Sequence, residues 1–129
     1  DRVKAEVVYG ESRLDLRFDS PLGDVCWVEA KSVTLVRDGV ACFPDAPTAR
    51  GRRHLTELTH LAREGVGSAV VFVVQRADAS AFKPNDDTDP EFGKTLRAAR
   101  DAGVQVLAYR CRVSRWEITI DPHPLPHLF

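Results

Sequence analysis

The pattern of apolar and polar residues predicts three β-strands in the first third of the chain. Apolar and polar positions alternate in the segment SRLDLRF, with the period of a half-buried strand. The longer segment DVCWVEAKSVTLV consists largely of residues that favour strands, and it predicts a second strand. The segment DGVACF then predicts a turn followed by a short third strand.

Two later segments have the spacing and the end signals of helices. In TARGRRHLTELTHLAREG, the residues Leu55, Leu58 and Ala62 recur at helical spacing, and Gly65 ends the helix. The segment DPEFGKTLRAARDAG predicts a second helix, which begins at an Asp-Pro cap and ends at Gly103.

The remaining apolar segments predict strands between and after these helices. The run SAVVFVVQR is continuously apolar, which is typical of a strand covered on both faces. The segment VQVLAYRCRVS predicts another strand, and WEITI predicts an edge strand after it. The order of three strands, helix, strand, helix, strand predicts an α/β fold, with a mixed β-sheet flanked by helices.

Composition limits the classes of protein that remain. The chain has 129 residues, 43% of them hydrophobic, and is the size of one ordinary domain with a single core. Its 18 basic and 19 acidic residues give a net charge of −1, so any site for anions must be local. No apolar run approaches the ~20 residues that span a bilayer, so we expect no membrane partner.

The cysteines indicate a reducing compartment. Cys26, Cys42 and Cys111 are odd in number, far apart and embedded in apolar segments. This spacing fits reduced thiols and matches neither a disulfide framework nor a zinc site, so we expect a cytoplasmic protein.

Two charged residues, Glu29 and Lys31, interrupt the second predicted strand. Because side chains two residues apart in a strand point to one face, these two share a face, about 6.5–7 Å apart at their Cα atoms. A hairpin turn centred on residues 21–22 sets Asp15 opposite Glu29. Buried charge is costly unless it is paired or used, so the alternatives are a structural ion pair and an active site.

Two carboxylates and a lysine in one place suit metal-dependent hydrolysis of phosphodiesters. Mg²⁺ prefers hard oxygen ligands and keeps several waters, so Asp15 and Glu29 are candidate ligands for Mg²⁺ or Mn²⁺. A lysine beside the ion can orient or deprotonate a water, or stabilise charge on the phosphate. We therefore predict Lys31 as a catalytic residue.

The order of these residues also resembles known proteins. An acid-x-Lys triplet on a strand that follows an Asp-bearing strand is the arrangement of the PD-(D/E)XK, or restriction-endonuclease-like, core. The segments EVVYGESRLDLRF, WVEAKSVTL, CFPDAPTARGRRHLTEL and VQVLAYRCRVS resemble the sugar fermentation stimulation protein A family of bacteria and archaea in order and spacing. This resemblance covers nearly the whole chain.

The resemblance implies a fold, an activity and further site residues. Members of that family have a nuclease-like domain preceded by a small OB-like barrel, with DNA binding and an inferred nuclease activity. Because the chain starts at Asp1 and contains no methionine, we expect that barrel to be missing and residues 1–129 to form the nuclease-like domain. By the same resemblance the Ala30 carbonyl and Glu6 join the metal ligands.

The first predicted helix supplies candidate contacts to nucleic acid. At 100° per residue, Arg50 and His54 lie on one stripe of the helix, and Arg53 is turned further toward solvent. If this helix packs beside the strand of Lys31, Arg50 and His54 can reach a phosphate, and Arg13 of the first strand is a third candidate. The alternative is that these arginines form an ordinary solvated helix face.

The sequence therefore predicts a Mg²⁺- or Mn²⁺-dependent nuclease domain that acts on DNA or RNA, with DNA as the first choice of partner. The alternative is a non-catalytic, largely sequence-nonspecific DNA-binding regulator of sugar metabolism that retains the nuclease fold. Intact carboxylates favour the enzyme, because they would repel the phosphates of a merely bound duplex. No residue pattern supports direct carbohydrate handling, and a homodimer remains an open option.

Overall fold

The computed structural model describes residues 2–9, 12–19, 21–115 and 117–129 of the chain. The described part contains nine strands and two helices. In chain order these elements are β1 (Arg2–Tyr9), β2 (Ser12–Asp19), β3 (Val25–Val33), β4 (Leu35–Arg37), β5 (Val40–Phe43), α1 (Ala49–Arg63), β6 (Gly67–Val74), β7 (Ala81–Pro84), α2 (Pro90–Ala102), β8 (Gln105–Val113) and β9 (Ile118–Ile120).

A six-stranded mixed sheet forms the centre of the fold, with the strand order β1-β2-β3-β6-β8-β9. The strands β3, β6 and β8 are parallel to one another, whereas β1 with β2, β2 with β3, and β8 with β9 are antiparallel. Each parallel step crosses over through a helix, α1 between β3 and β6 and α2 between β6 and β8. The predicted α/β fold with a mixed sheet is confirmed.

The structure differs from the predicted strands at three places. The segment of β1 was not predicted as a strand, although its residues 2–7 alternate between polar and apolar, and it pairs along its length with β2. The predicted second strand is divided, because the pairing of β3 with β6 ends at Val33 and the chain then enters a local hairpin. Asp38 and Gly39, with φ of 51° and 78°, form its two-residue turn. The hairpin of β4 and β5 joins β7 in a second sheet of three strands, which was not predicted.

The first turns of both helices are capped by side chains, and the two helices pack on each other. The Thr48 side chain accepts from the Gly51 amide at the start of α1. Asp89 caps α2, Pro90 occupies its first turn, and Gly103 ends it in the left-handed conformation, with φ of 108°. In the part of the chain that is described, neither helix is long and apolar enough to cross a membrane.

The core lies between the central sheet, the helices and the small sheet, around the ring of Phe72. This side chain is fully buried, and its ring lies 4.4 Å from that of Phe82 and 5.4 Å from that of Phe43. On β3 the residues that face this core include Trp27, Val33 and also Glu29. A carboxylate thus lies in a position that packing alone would give to an apolar side chain, and this costly placement marks its surroundings as a candidate functional site.

Candidate active site

The β2–β3 hairpin brings Asp15 next to Glu29, as the turn position predicts. The paired residues of the two strands run from Asp19 with Val25 to Leu16 with Val28. One residue further along, the Asp15 amide donates to Oε2 of Glu29 over 3.2 Å. The structure thus has the predicted arrangement, in which two carboxylates meet across a hairpin.

The backbone pairing of the two strands ends at this point, which leaves an opening in the ladder beside Asp15 and Ala30. The next pairing would set Leu14 opposite Ala30, but the Ala30 amide instead donates to Oδ2 of Asp15 over 2.9 Å. In a strand, the N–H and C=O of one residue project to the same side, so the Ala30 carbonyl faces the same opening. Carboxylate and carbonyl oxygens therefore converge where regular pairing has ended.

Lys31 lies on the same face of β3, as predicted, and contacts both Glu29 and a residue from α1. Its Nζ lies 3.3 Å from Oε1 of Glu29 and 2.9 Å from Nδ1 of His54. Nδ1 of His54 is in turn 3.1 Å from the same Oε1 atom. The three polar atoms form a closed triangle, and the side chains are 13%, 3% and 2% exposed for Lys31, Glu29 and His54.

Burial and neighbouring charges shift the protonation of this cluster. Burial raises the pKa of Glu29, as does the charge of Asp15, whereas Lys31 lowers it. Burial, followed by the positive charges of Lys31, Arg50 and Arg53, lowers the pKa of His54 to about 4. The His54 ring is therefore neutral at pH 7. Because an ammonium only donates, Nδ1 accepts from Lys31 and the ring proton lies on Nε2.

Asp89 holds the first turn of α1 in place. It contacts one of the three arginines in that part of the helix and leaves the other two exposed. Oδ2 of Asp89 accepts from the Thr48 amide over 2.9 Å and from Nη1 of Arg52 over 2.6 Å. Arg52 therefore serves the helix junction. Arg50 and Arg53 are exposed, and among the described residues neither has a carboxylate partner. Both lie close enough to His54 to lower its pKa, so this positive charge borders the Glu29 cluster.

Three other residues were predicted to contact nucleic acid or metal, namely His54, Arg13 and Glu6. His54 is buried against Lys31 and Glu29, a position that does not favour the predicted contact with a phosphate at the surface. The backbone of Glu6 lies in β1 between residues paired on either side of Asp15, and that of Arg13 lies in β2. The side chains of Glu6 and Arg13 are outside the described part of the structure, so their roles stay predictions.

The residues at the opening have the chemistry that a hard divalent cation needs. Oδ1 of Asp15 has no protein partner among the residues described, and the Ala30 carbonyl faces the same gap. A carboxylate, a second carboxylate from Glu29, a backbone carbonyl and waters are a typical ligand set for Mg²⁺. The described residues contain no group of three or more His, Cys, Asp or Glu side chains arranged around one point, so carbonyl and water ligands are required.

Comparison with known proteins identifies the family. A family model described as "Sugar fermentation stimulation protein RE domain" matches residues 1–117. The chain belongs to the sugar fermentation stimulation protein family. A homologue from Desulforamulus reducens is 54% identical over 114 residues, which cover 88% of this chain and 47% of the relative. A homologue from Citrifermentans bemidjiense is 48% identical over 121 residues, 93% of this chain and 52% of the relative.

A solved structure of a family member supports the fold directly. "The structure of Pyrococcus Furiosus SfsA in complex with Ca2+" superposes with a TM-score of 0.91 at 35% sequence identity. The match covers 98% of this chain and 54% of that one. The chain thus spans about half the length of the relatives it matches. The restriction-endonuclease-like fold is confirmed, while the single-domain boundary and the expected barrel stay predictions.

Sequence reasoning missed two features of the site. It placed His54 at a phosphate, although His54, Leu58 and Leu61 follow the spacing of a buried helix stripe, which was the available signal. It also did not find the pair of Arg52 and Asp89, which are 37 residues apart. No local pattern marks that pair, because it depends on how α1 and α2 pack.

Proposed function

We propose that this chain is a metal-dependent nuclease domain that hydrolyses the phosphodiester bonds of nucleic acid, with DNA as the first candidate substrate. The observation that carries the proposal is the convergence of Asp15, Glu29 and Lys31 where the pairing of β2 and β3 ends. An ion pair built only for stability would not need a second carboxylate beside it. That neighbour raises the cost of keeping Glu29 charged.

In this proposal, the residues at the opening have two different roles, metal binding and positioning of the attacking water. Asp15, Glu29 and the Ala30 carbonyl would hold Mg²⁺ or Mn²⁺, and the Ca²⁺ complex of the Pyrococcus furiosus relative supports a divalent cation. A bound cation of this kind lowers the pKa of water and offsets charge on a phosphate. Lys31, whose Nζ is held at 3.3 Å from Glu29, orients the attacking water and donates to a phosphate oxygen.

Positive charge at the rim supports a nucleic-acid partner. Arg50 and Arg53 are exposed beside the cluster and can donate to successive phosphates. The net charge of −1 leaves no general attraction to a polyanion, so binding by this chain rests on these few contacts and is weak. A homodimer would double them, and that assembly stays a prediction.

The free thiols are consistent with the proposed cytoplasmic location. Cys42 and Cys111 are buried and Cys26 is half-buried, and each of the three is free. Free thiols persist in a reducing compartment, where the nucleic acid of a bacterial or archaeal cell is also found.

A second candidate function is a DNA-binding regulator that no longer cuts. The observation in its favour is that both oxygens of Glu29 already have protein donors, Lys31 on Oε1 and the Asp15 amide on Oε2. A carboxylate satisfied in this way can persist as a structural ion pair. The two candidates differ in one observable, since only the nuclease changes the length of its substrate.

Cleavage of end-labelled nucleic acid distinguishes them. The chain is incubated with single- and double-stranded DNA and RNA in Mg²⁺ or Mn²⁺, beside Glu29→Gln purified identically. The Gln side chain keeps the shape of Glu29 and loses its charge. Cutting that requires the metal and disappears in Glu29→Gln supports the nuclease and identifies its substrate. Binding without cutting in every metal contradicts the nuclease and favours the regulator.

A further inference from the structure

His54 occupies a position that the proposed chemistry does not yet explain. It comes from α1, 23 residues after Lys31, and its side chain is only 2% exposed. A buried polar ring needs hydrogen-bond partners, and the partner of Nδ1 is the lysine ammonium at 2.9 Å. The helix therefore supplies a dedicated acceptor for the end of a flexible side chain on the sheet.

The geometry of the triangle shows what this acceptor does. Lysine has a four-carbon stem with many rotamers and three N–H donors. Nζ lies 3.3 Å from Oε1 of Glu29 and 2.9 Å from Nδ1 of His54, and the two acceptors are 3.1 Å apart. One acceptor alone leaves the ammonium free to swing about it. Two acceptors on different elements define its place and direct the remaining donor.

The third donor of Lys31 is the one available for chemistry. Among the residues that the structure describes, Nζ has no other protein partner. It is therefore free for a water or a phosphate oxygen, and its direction is set by the other two bonds. Orientation of a reacting group contributes to rate rather than to ground-state affinity.

We propose that His54 is a positioning residue for Lys31: Nδ1 accepts from Nζ and holds the ammonium beside Glu29, with its third donor directed at the reacting water or phosphate. The contact itself stands on the geometry above. Its effect on cleavage rests on the proposed nuclease function, so one part of the test measures stability and does not require the chain to cleave nucleic acid.

The activity-independent arm is a double-mutant cycle on stability. The variants are His54→Asn, His54→Gln, Lys31→Met and the two double variants, unfolded in urea without metal. The Asn amide oxygen is as far from the backbone as Nδ1, whereas the Gln amide lies one atom further out. We expect Lys31→Met and His54→Gln to be non-additive by about tenfold in the unfolding equilibrium constant, which is typical of residues in contact. Additive effects would overturn the contact.

The activity arm separates positioning from structure. In Mg²⁺, His54→Gln should lower kcat by roughly tenfold or more, with KM and the Kd for nucleic acid within about twofold of wild type. His54→Asn should recover most of kcat, because its oxygen replaces Nδ1. A role in packing alone would change stability in both variants without this difference in kcat.

The outcomes distinguish the two claims. If wild type does not cut in any metal, the nuclease proposal fails, and the stability cycle still decides whether His54 holds Lys31. If wild type cuts and His54→Gln cuts at the same rate, the positioning role is wrong while the nuclease stands. If His54→Gln changes only KM, His54 acts on substrate binding, and the proposal is also overturned.

Discussion

The Asp15 backbone amide donates to a carboxylate oxygen of Glu29 across the hairpin, at a distance of 3.2 Å. The contact draws two acidic side chains to one opening at the edge of the core. Burial raises the pKa of Glu29, and the charge of Asp15 raises it further. A divalent cation between the two carboxylates would relieve this repulsion, which links metal binding to stability.

Divalent cations should therefore stabilise the folded chain. A ligand at about 100 times its Kd adds roughly 2.7 kcal/mol, which raises the Tm of a domain of this size by roughly 5–10 °C. Thermal unfolding with Ca²⁺ or Mg²⁺ against EDTA measures the shift. Asp15→Asn should remove most of it, and Asp45→Asn, at an exposed acid outside β2 and β3, should not. An equal shift in both variants would place the cation elsewhere.

Mg²⁺ and Ca²⁺ should support different steps. Both bind carboxylate oxygens, but Mg²⁺ holds strict octahedral geometry whereas Ca²⁺ accepts variable numbers of ligands at longer distances. We expect Ca²⁺ to permit nucleic-acid binding and to give less than about 1% of the cleavage rate in Mg²⁺. Binding by fluorescence anisotropy and cleavage on gels, in parallel, check this. Equal cleavage rates in Mg²⁺ and in Ca²⁺ would contradict the expectation that the geometry of the cation orients the attacking water.

The arginines of α1 should separate into binding and structural residues. Arg50→Gln and Arg53→Gln should each weaken binding and lower the slope of log K against log salt by about 1, because each removes one phosphate contact. Arg52→Gln removes the same charge but breaks the 2.6 Å bond to Asp89, so it should leave the slope unchanged and lower stability. Salt titrations of Kd in Ca²⁺ make the comparison. Identical slopes for all three variants would assign the effect to net charge.

Asp89 should make the helix junction sensitive to acid. Burial raises its pKa, but hydrogen bonds from the Thr48 and Phe92 amides and from Arg52 outweigh burial and lower it below 3.8. Its stabilising contribution is therefore complete above pH 3.8 and is lost as the pH falls through the lower folded value. At pH 7, Asp89→Asn should cost about 2–3 kcal/mol. The difference from wild type should shrink below pH 3.8 in urea titrations, and a constant difference would contradict this account.

Much of the site could be predicted because its residues are close in the sequence. Asp15 and Glu29 meet through a single hairpin, and Glu29 and Lys31 are two residues apart on one strand, so strand period and turn position were sufficient. The cap at Asp89 and the end at Gly103 are local signals of the same kind.

The rest depends on packing between distant segments. The contact of His54 with Lys31 requires α1 to lie against β3, and the role of Arg52 requires α1 to meet the cap of α2. The second sheet arises because β5 pairs in parallel with β7, a four-residue strand with weak alternation. Periodicity describes which face of an element is apolar, and it does not say which neighbour that face will meet.

The most direct test compares two acid–lysine pairs with the same separation. Glu29 with Lys31 and Glu91 with Lys94 each have Nζ 3.3 Å from a carboxylate oxygen, but the first pair is buried at the opening and the second is exposed on α2. Single-turnover cleavage in Mg²⁺ is measured for a Gln variant of each acid and a Met variant of each lysine. We predict at least about a hundredfold loss of rate at the buried pair and less than about twofold at the exposed pair. Equal rates in all four variants, or no cleavage by wild type, would contradict the nuclease assignment.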